Sequence, residues 1–159
     1  MSLHALVIPP PTRPIDTGPC WSTLLLRSLG GQVRLLLTDG RHLAGAVLAA
    51  DPGVLVVRTS RGQSHLPAHA LCGLETVAGL PVERGGEHPV GPAIPPAVRL
   101  LNGRHVQVRT GGHTLVGEVV AIGHDCLAIA GFGAHWRWVP WQAVISLRTA
   151  GEATDVASA

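Results

Sequence analysis

The residues of this chain best suited to chemistry are nine histidines, three cysteines and a group of tryptophans around one arginine. His65 and His69 lie four apart, the spacing at which two imidazoles share a helix face and can hold one metal ion. Pro67 stands between them and forbids a regular helix, so that site does not form. His42, His113 and His124 fall at or beside turns, without the matching Cys or carboxylate cluster that a metal needs. Cys20, Cys72 and Cys126 are widely spaced and odd in number, and no C-x-x-C pair is present, which argues against a zinc ribbon or a redox motif. Cys72 and Cys126 sit in apolar runs, where a thiol behaves as a small hydrophobe. No G-x-S-x-G elbow occurs. The chain therefore reads as a non-enzyme with no cofactor, no metal and no small-molecule substrate.

The densest aromatic stretch is "GFGAHWRWVPW". In a strand, Trp136 and Trp138 share one face while Arg137 and Val139 take the other, and Trp141 follows just after Pro140. Exposed, these rings could stack bases beside Arg137. Buried, they would be core and partner contact, where Trp is enriched. Arg58, Arg61 and Arg137 are the candidate cationic contacts, to a nucleic acid or to carboxylates such as Asp51, Glu75 or Glu118 across an assembly contact. All 12 basic residues are Arg, and Arg favours planar, bidentate contacts. The net charge of +2 is too weak to make a general nucleic-acid binder by electrostatics alone.

The elements that must carry these residues are mostly strands. A chain that is 46% hydrophobic and 14% charged, with 20 Gly and 13 Pro, is globular and loop-rich rather than disordered. A proline-rich arm spans 1–20 and a Gly/Pro-rich linker 79–96, and a small, polar tail covers 150–159. Between them lies an internal repeat. Gly31, Gly40 and Gly45 align at equal spacing with Gly103, Gly112 and Gly117. "GAVLAADPGVLVVRT" aligns with "GEVVAIGHDCLAIAG", and "HLPAHALCGLETV" with "WVPWQAVISLRTA". Each copy predicts a short helix and five strands: 32–38, 42–50, 54–59, 62–67 and 72–77, then 105–110, 114–122, 126–130, 135–139 and 145–148. Ser22 is the expected cap of the first helix, which Gly30-Gly31 ends. The fold class is all-β: two tandem five-stranded small barrels, of Sm-like or SH3-like type, over 21–78 and 97–149.

With the repeat laid out, the unit resembles the Sm-like fold of Sm and LSm proteins and of the bacterial RNA chaperone Hfq. The carrying residues are the leading helix, "LLTDGRHLAGAVLAAD", "VLVVRT" and "LPAHALCGLETV". They give Asp39-Gly40, Gly45 and then Asp51 in the order of the family's first motif. The second copy has Gly123 in place of Asp51 and is similar to the Sm-related modules of bacterial spore-coat proteins. The family's RNA-reading residues do not carry over. Leu55 and Leu127 stand where Sm and LSm proteins have a uridine-reading Asn, and Gly53 where Hfq has a base-stacking aromatic. "HLPAH" and "WVPWQ" replace the second motif's Arg-Gly pair.

The resemblance implies assembly. Sm-like modules join strand four of one subunit to strand five of the next. Here those edges contain Ser64, His65 and Leu66 on one side and Ile145, Ser146 and Leu147 on the other, with few charges and no Lys to block pairing. The expected function is a non-catalytic self-assembling component of a coat, shell or filament, with spore association as one setting. Its partner is another copy of itself, in a trimer with a pseudo-six-fold ring or in an open chain. The alternative is an RNA-binding ring. The start "MSLHALVIPPPTRP" lacks a basic n-region, and no segment approaches a membrane span, so a soluble protein made in the cytoplasm is expected.

Overall fold

A computed structural model describes residues 20–51, 53–77, 92–131 and 133–149. The expected arm before Cys20, the linker up to residue 91 and the tail from residue 150 lie outside the described residues. Helix α1 (Trp21–Arg27) leads into β1 (Gln32–Leu37), β2 (His42–Asp51), β3 (Val54–Thr59), β4 (Gly62–Pro67) and β5 (Leu71–Val77). A shorter helix α2 (Pro96–Arg99) leads into β6 (His105–Thr110), β7 (Thr114–Ile122), β8 (Cys126–Ala130), β9 (His135–Pro140) and β10 (Val144–Thr149). One 3-10 turn, Ala68–Ala70, joins β4 to β5, and its counterpart Trp141–Ala143 joins β9 to β10. The chain is mainly β.

All ten strands belong to one antiparallel sheet, ordered β10-β6-β7-β8-β9-β5-β1-β2-β3-β4. Within each repeat the order is fifth, first, second, third, fourth, and the two runs are spliced where β9 pairs with β5. The sequence points to two separate five-stranded barrels; the strands instead run on as one open sheet. β5 and β9 are each the edge of a repeat, and an open edge pairs with another available strand. The sheet ends at β10 and β4.

The repeats match in detail. Bulges lie between Val47 and Ala49 in β2 and between Val119 and Ala121 in β7. A second matched pair interrupts the β1–β5 and β10–β6 ladders. A Cβ on Gly45 would overlap the Arg58 carbonyl oxygen and sit 2.8 Å from Val57 Cγ1. One on Gly117 would lie 2.5 Å from the Ala130 oxygen and 2.9 Å from Ile129 Cγ2. Both glycines let a long strand bend tightly over its neighbour. The equal-spacing alignment slips at the first turn, however. Val33 faces Gly45 and Val106 faces Gly117, so the first hairpin is longer by one residue. Gly30, not Gly31, is the counterpart of Gly103. Both have positive φ (78° and 86°), and their amides donate at 2.8 Å to the carbonyls of Val47 and Val119.

Ser22 does not cap α1. Cys20 occupies the N-cap position, and its side chain makes no capping hydrogen bond. Leu24 and Leu25 turn inward while Leu26 is 51% exposed, as a helical period requires. Two apolar clusters form, and each borrows from the other repeat. The first gathers Trp21, Leu35, Leu37, Leu55 and Val57 with Cys126, Ala128 and Trp138. The second gathers Val106, Val108, Leu127, Ile129 and Val139 with Leu36 and Cys72. Ile94, near the end of the expected linker, is also buried in the second cluster.

Candidate assembly edges and the junction between repeats

The contact between repeats follows from runs that do not alternate. "LLL" in β1 and "CLAI" in β8 are buried on both strand faces, the pattern of strands covered from two sides. In β8, Leu127 and Ile129 serve the second cluster and Cys126 and Ala128 the first. In β1, Leu35 and Leu37 serve the first and Leu36 the second. Beside them β5 and β9 pair as Leu74↔Trp138, Glu75↔Arg137 and Thr76↔Trp136. Trp138 is only 1% exposed and packs into the first cluster, so strand four of the second repeat plugs into the first. Opposite charges, Glu75 and Arg137, face each other across the same ladder, and Arg34 approaches Glu75 to 4.0 Å.

Polar contacts pin the junction at two further points. The Trp21 amide, at the start of α1, donates to Asp125 Oδ1 at 2.8 Å, and Asp125 is buried. His113 Nε2 lies 3.0 Å from the Leu37 carbonyl oxygen, which can only accept, so that nitrogen carries the proton. His113 also meets His42 edge-on, with ring centroids 5.0 Å apart. Partial burial holds the His42 pKa below its usual value, and nearby Arg34 and His113 add to this. Burial pushes the Cys72 thiol up, away from reactivity at neutral pH, with the Thr110 hydroxyl 3.5 Å from its sulfur. All three cysteines are buried.

The candidate edge residues lie on the two outermost strands. Ser64, His65 and Leu66 are on β4 and Ile145, Ser146 and Leu147 on β10. Leu66 packs against the first cluster and Leu147 against the second, while His65 and Ser146 are exposed. The matched ladders equate β4 with β9 and β10 with β5, so the free edges repeat the two strands that pair internally. His65 occupies the place of Trp138, and Ile145, 65% exposed, that of the fully buried Cys72.

The other candidates are scattered. Arg58 and Arg61 are exposed on β3 and its turn to β4. Arg137 is half-buried and donates weakly to the Val116 carbonyl at 3.4 Å. Trp136 and Trp138 lie 6.3 Å apart, centroid to centroid, at the repeat junction, and Trp141 packs on the second cluster. Base stacking on Trp138 is thereby corrected: its ring is consumed by the core. A cleft of about 670 Å3 opens between the repeats, walled by Gly53, His69, Cys72, Gln142 and Ile145 among others. Among the described residues no group of three or more His, Cys, Asp or Glu could hold a metal ion, and no helix is long and apolar enough to cross a membrane. Sequence reasoning passed over Asp125, Leu36 and the function of Cys126. The non-alternating runs were the available signal for the last two; nothing local marks Asp125, whose partner lies in the other repeat.

Compared with family models, curated proteins and solved structures, the chain matches none.

Proposed function

We propose that this chain is a non-catalytic, self-assembling structural module, two Sm-like five-stranded units in tandem, that joins copies edge to edge as a component of a coat, shell or filament. The β5–β9 pairing carries the reading. It is a strand-five-to-strand-four junction already made once within the chain, and among the described residues the same two kinds of strand lie unpaired at the ends of the sheet. Transferring the internal register to the free edges sets Leu147 opposite His65, Arg148 opposite Ser64 and Thr149 opposite Gln63 of the next copy. Ile145 would then take the buried position that Cys72 holds internally. The free contact is weaker than the internal one, because Arg109 replaces Leu36 and His65 replaces Trp138. Such a difference gives a rigid two-repeat unit and a separable joint between units. Negative-stain imaging at micromolar concentration tests this: rings or fibres are expected, and dispersed single chains would overturn it.

The second reading is an RNA-binding ring, in which His69 and Gln142 of the cleft between repeats would make the polar contacts. Salt-dependent, sub-micromolar retention of oligo-uridine, lost on His69→Ala, would put this reading first.

A further inference from the structure

We infer that the outer face of the β6–β10 ribbon is a binding site for phosphate groups, formed by Arg109, Arg148, Gln107 and Ser146. These four residues line a recess of about 240 Å3. They form two adjacent cross-strand pairs, Ser146↔Arg109 and Arg148↔Gln107, on the face turned away from Val106 and Val108 in the core. Gln107 Oε1 accepts from both Nε and Nη2 of Arg148, at 3.0 and 2.9 Å. That fixes one guanidinium on the ribbon with its remaining donors free to turn outward. Arg109 stands next to it with Ser146 opposite. Neither arginine has a carboxylate ion-pair partner among the described residues.

The repeat supplies the contrast that gives this arrangement meaning. At matched ladder positions the first copy carries Arg34 opposite Glu75 and Leu36 opposite Gly73. There the charges are balanced, and the leucine is buried against the second cluster. The second copy changes all four residues. The acid becomes Arg148, its arginine partner becomes an amide that orients it, the leucine becomes Arg109 and the glycine gains a hydroxyl. Two guanidinium groups, an amide and a hydroxyl around one recess are a donor set for a multivalent oxyanion, which guanidinium binds in bidentate fashion. Phosphate is the common anion of matching charge and geometry. It can arrive as free polyphosphate or as the backbone of a nucleic acid.

The site needs only one copy of the chain. Because the next copy would cover this face, binding is measured on dilute protein that sedimentation shows to be monomeric. Calorimetric titration with inorganic tripolyphosphate, at ionic strength matched with chloride, should give saturable binding at one site. Arg109→Ala and Arg148→Ala should each weaken it about tenfold or more. Arg41→Ala, whose guanidinium is engaged by Asp39, should leave it unchanged. Competition by a single-stranded oligonucleotide assigns the source to a nucleic-acid backbone, and its failure to compete assigns it to free polyphosphate. Absence of saturable binding by the monomer, or binding that survives both arginine variants, would overturn the inference.

Discussion

Asp125 Oδ1 accepts a 2.8 Å hydrogen bond from the backbone amide of Trp21, across 104 positions of sequence. One repeat thereby caps the helix of the other, supplying the acceptor that Cys20 at the N-cap does not. Replacing the carboxylate leaves an amide at a buried helix start without its acceptor. Asp125→Ala should therefore cost about 1–2 kcal/mol of stability, and Asp125→Asn, which keeps an oxygen there, less. Urea denaturation followed by tryptophan fluorescence reads both.

Trp138 is the largest fully buried side chain of the junction. Truncating a buried Trp to Ala should cost about 3–5 kcal/mol. Its Nε1 makes no hydrogen bond among the described residues, so the indole contributes by volume and apolar area. Trp138→Phe should then lose well under half of what Trp138→Ala loses in the same denaturation experiment. Equal losses would show that the indole N–H has a partner after all.

How much of this was legible in the sequence depends on range. The repeat, the ten strands and the bends at Gly45 and Gly117 are written in turn residues and local alternation, so they could be read directly. Ser22 misled because its hydroxyl is suited to a cap, whereas the real acceptor is Asp125, distant in sequence. Gly31 misled because equal spacing hid a one-residue difference in the first hairpin. The continuous sheet was not foreseen because β5 and β9 pair between repeats, and no local pattern states which edge meets which. The edge residues on β4 and β10 could be named through the resemblance to Sm-like modules, while the recess at Arg109 needed the ladder register.

His42 gives a pH dependence with a defined sign. Its pKa is held below the ordinary 6.5, by partial burial first and by Arg34 and His113 next, with Glu75 opposing. The unfolded chain therefore takes up a proton more readily than the folded one. The stability contributed by neutral His42 is present above pH 6.5 and is lost as pH falls from there toward the lower folded value. The denaturation midpoint should drop over that interval, and His42→Gln should flatten the drop. A midpoint that rises on acidification would contradict the assignment.

His65 stands where the second repeat has Trp138. Restoring the larger ring at the free edge should strengthen the joint between copies. His65→Trp is expected to raise self-association about tenfold, a gain of about 1.4 kcal/mol. Ile145→Glu should abolish association while leaving the far-UV circular dichroism unchanged, because Ile145 is 65% exposed in the single chain. Sedimentation velocity across a concentration series reads both variants.

The most direct measurement mixes two variants that each add one cysteine to the three buried ones, Ser64→Cys and Arg148→Cys, under mild oxidation. Head-to-tail pairing of β4 with β10 in the internal register brings those two positions face to face in different copies. The mixture should give a reducible mixed dimer well above the dimer formed by either variant alone. Equal dimer from each variant by itself, or no mixed dimer at concentrations where the wild type assembles, would contradict it.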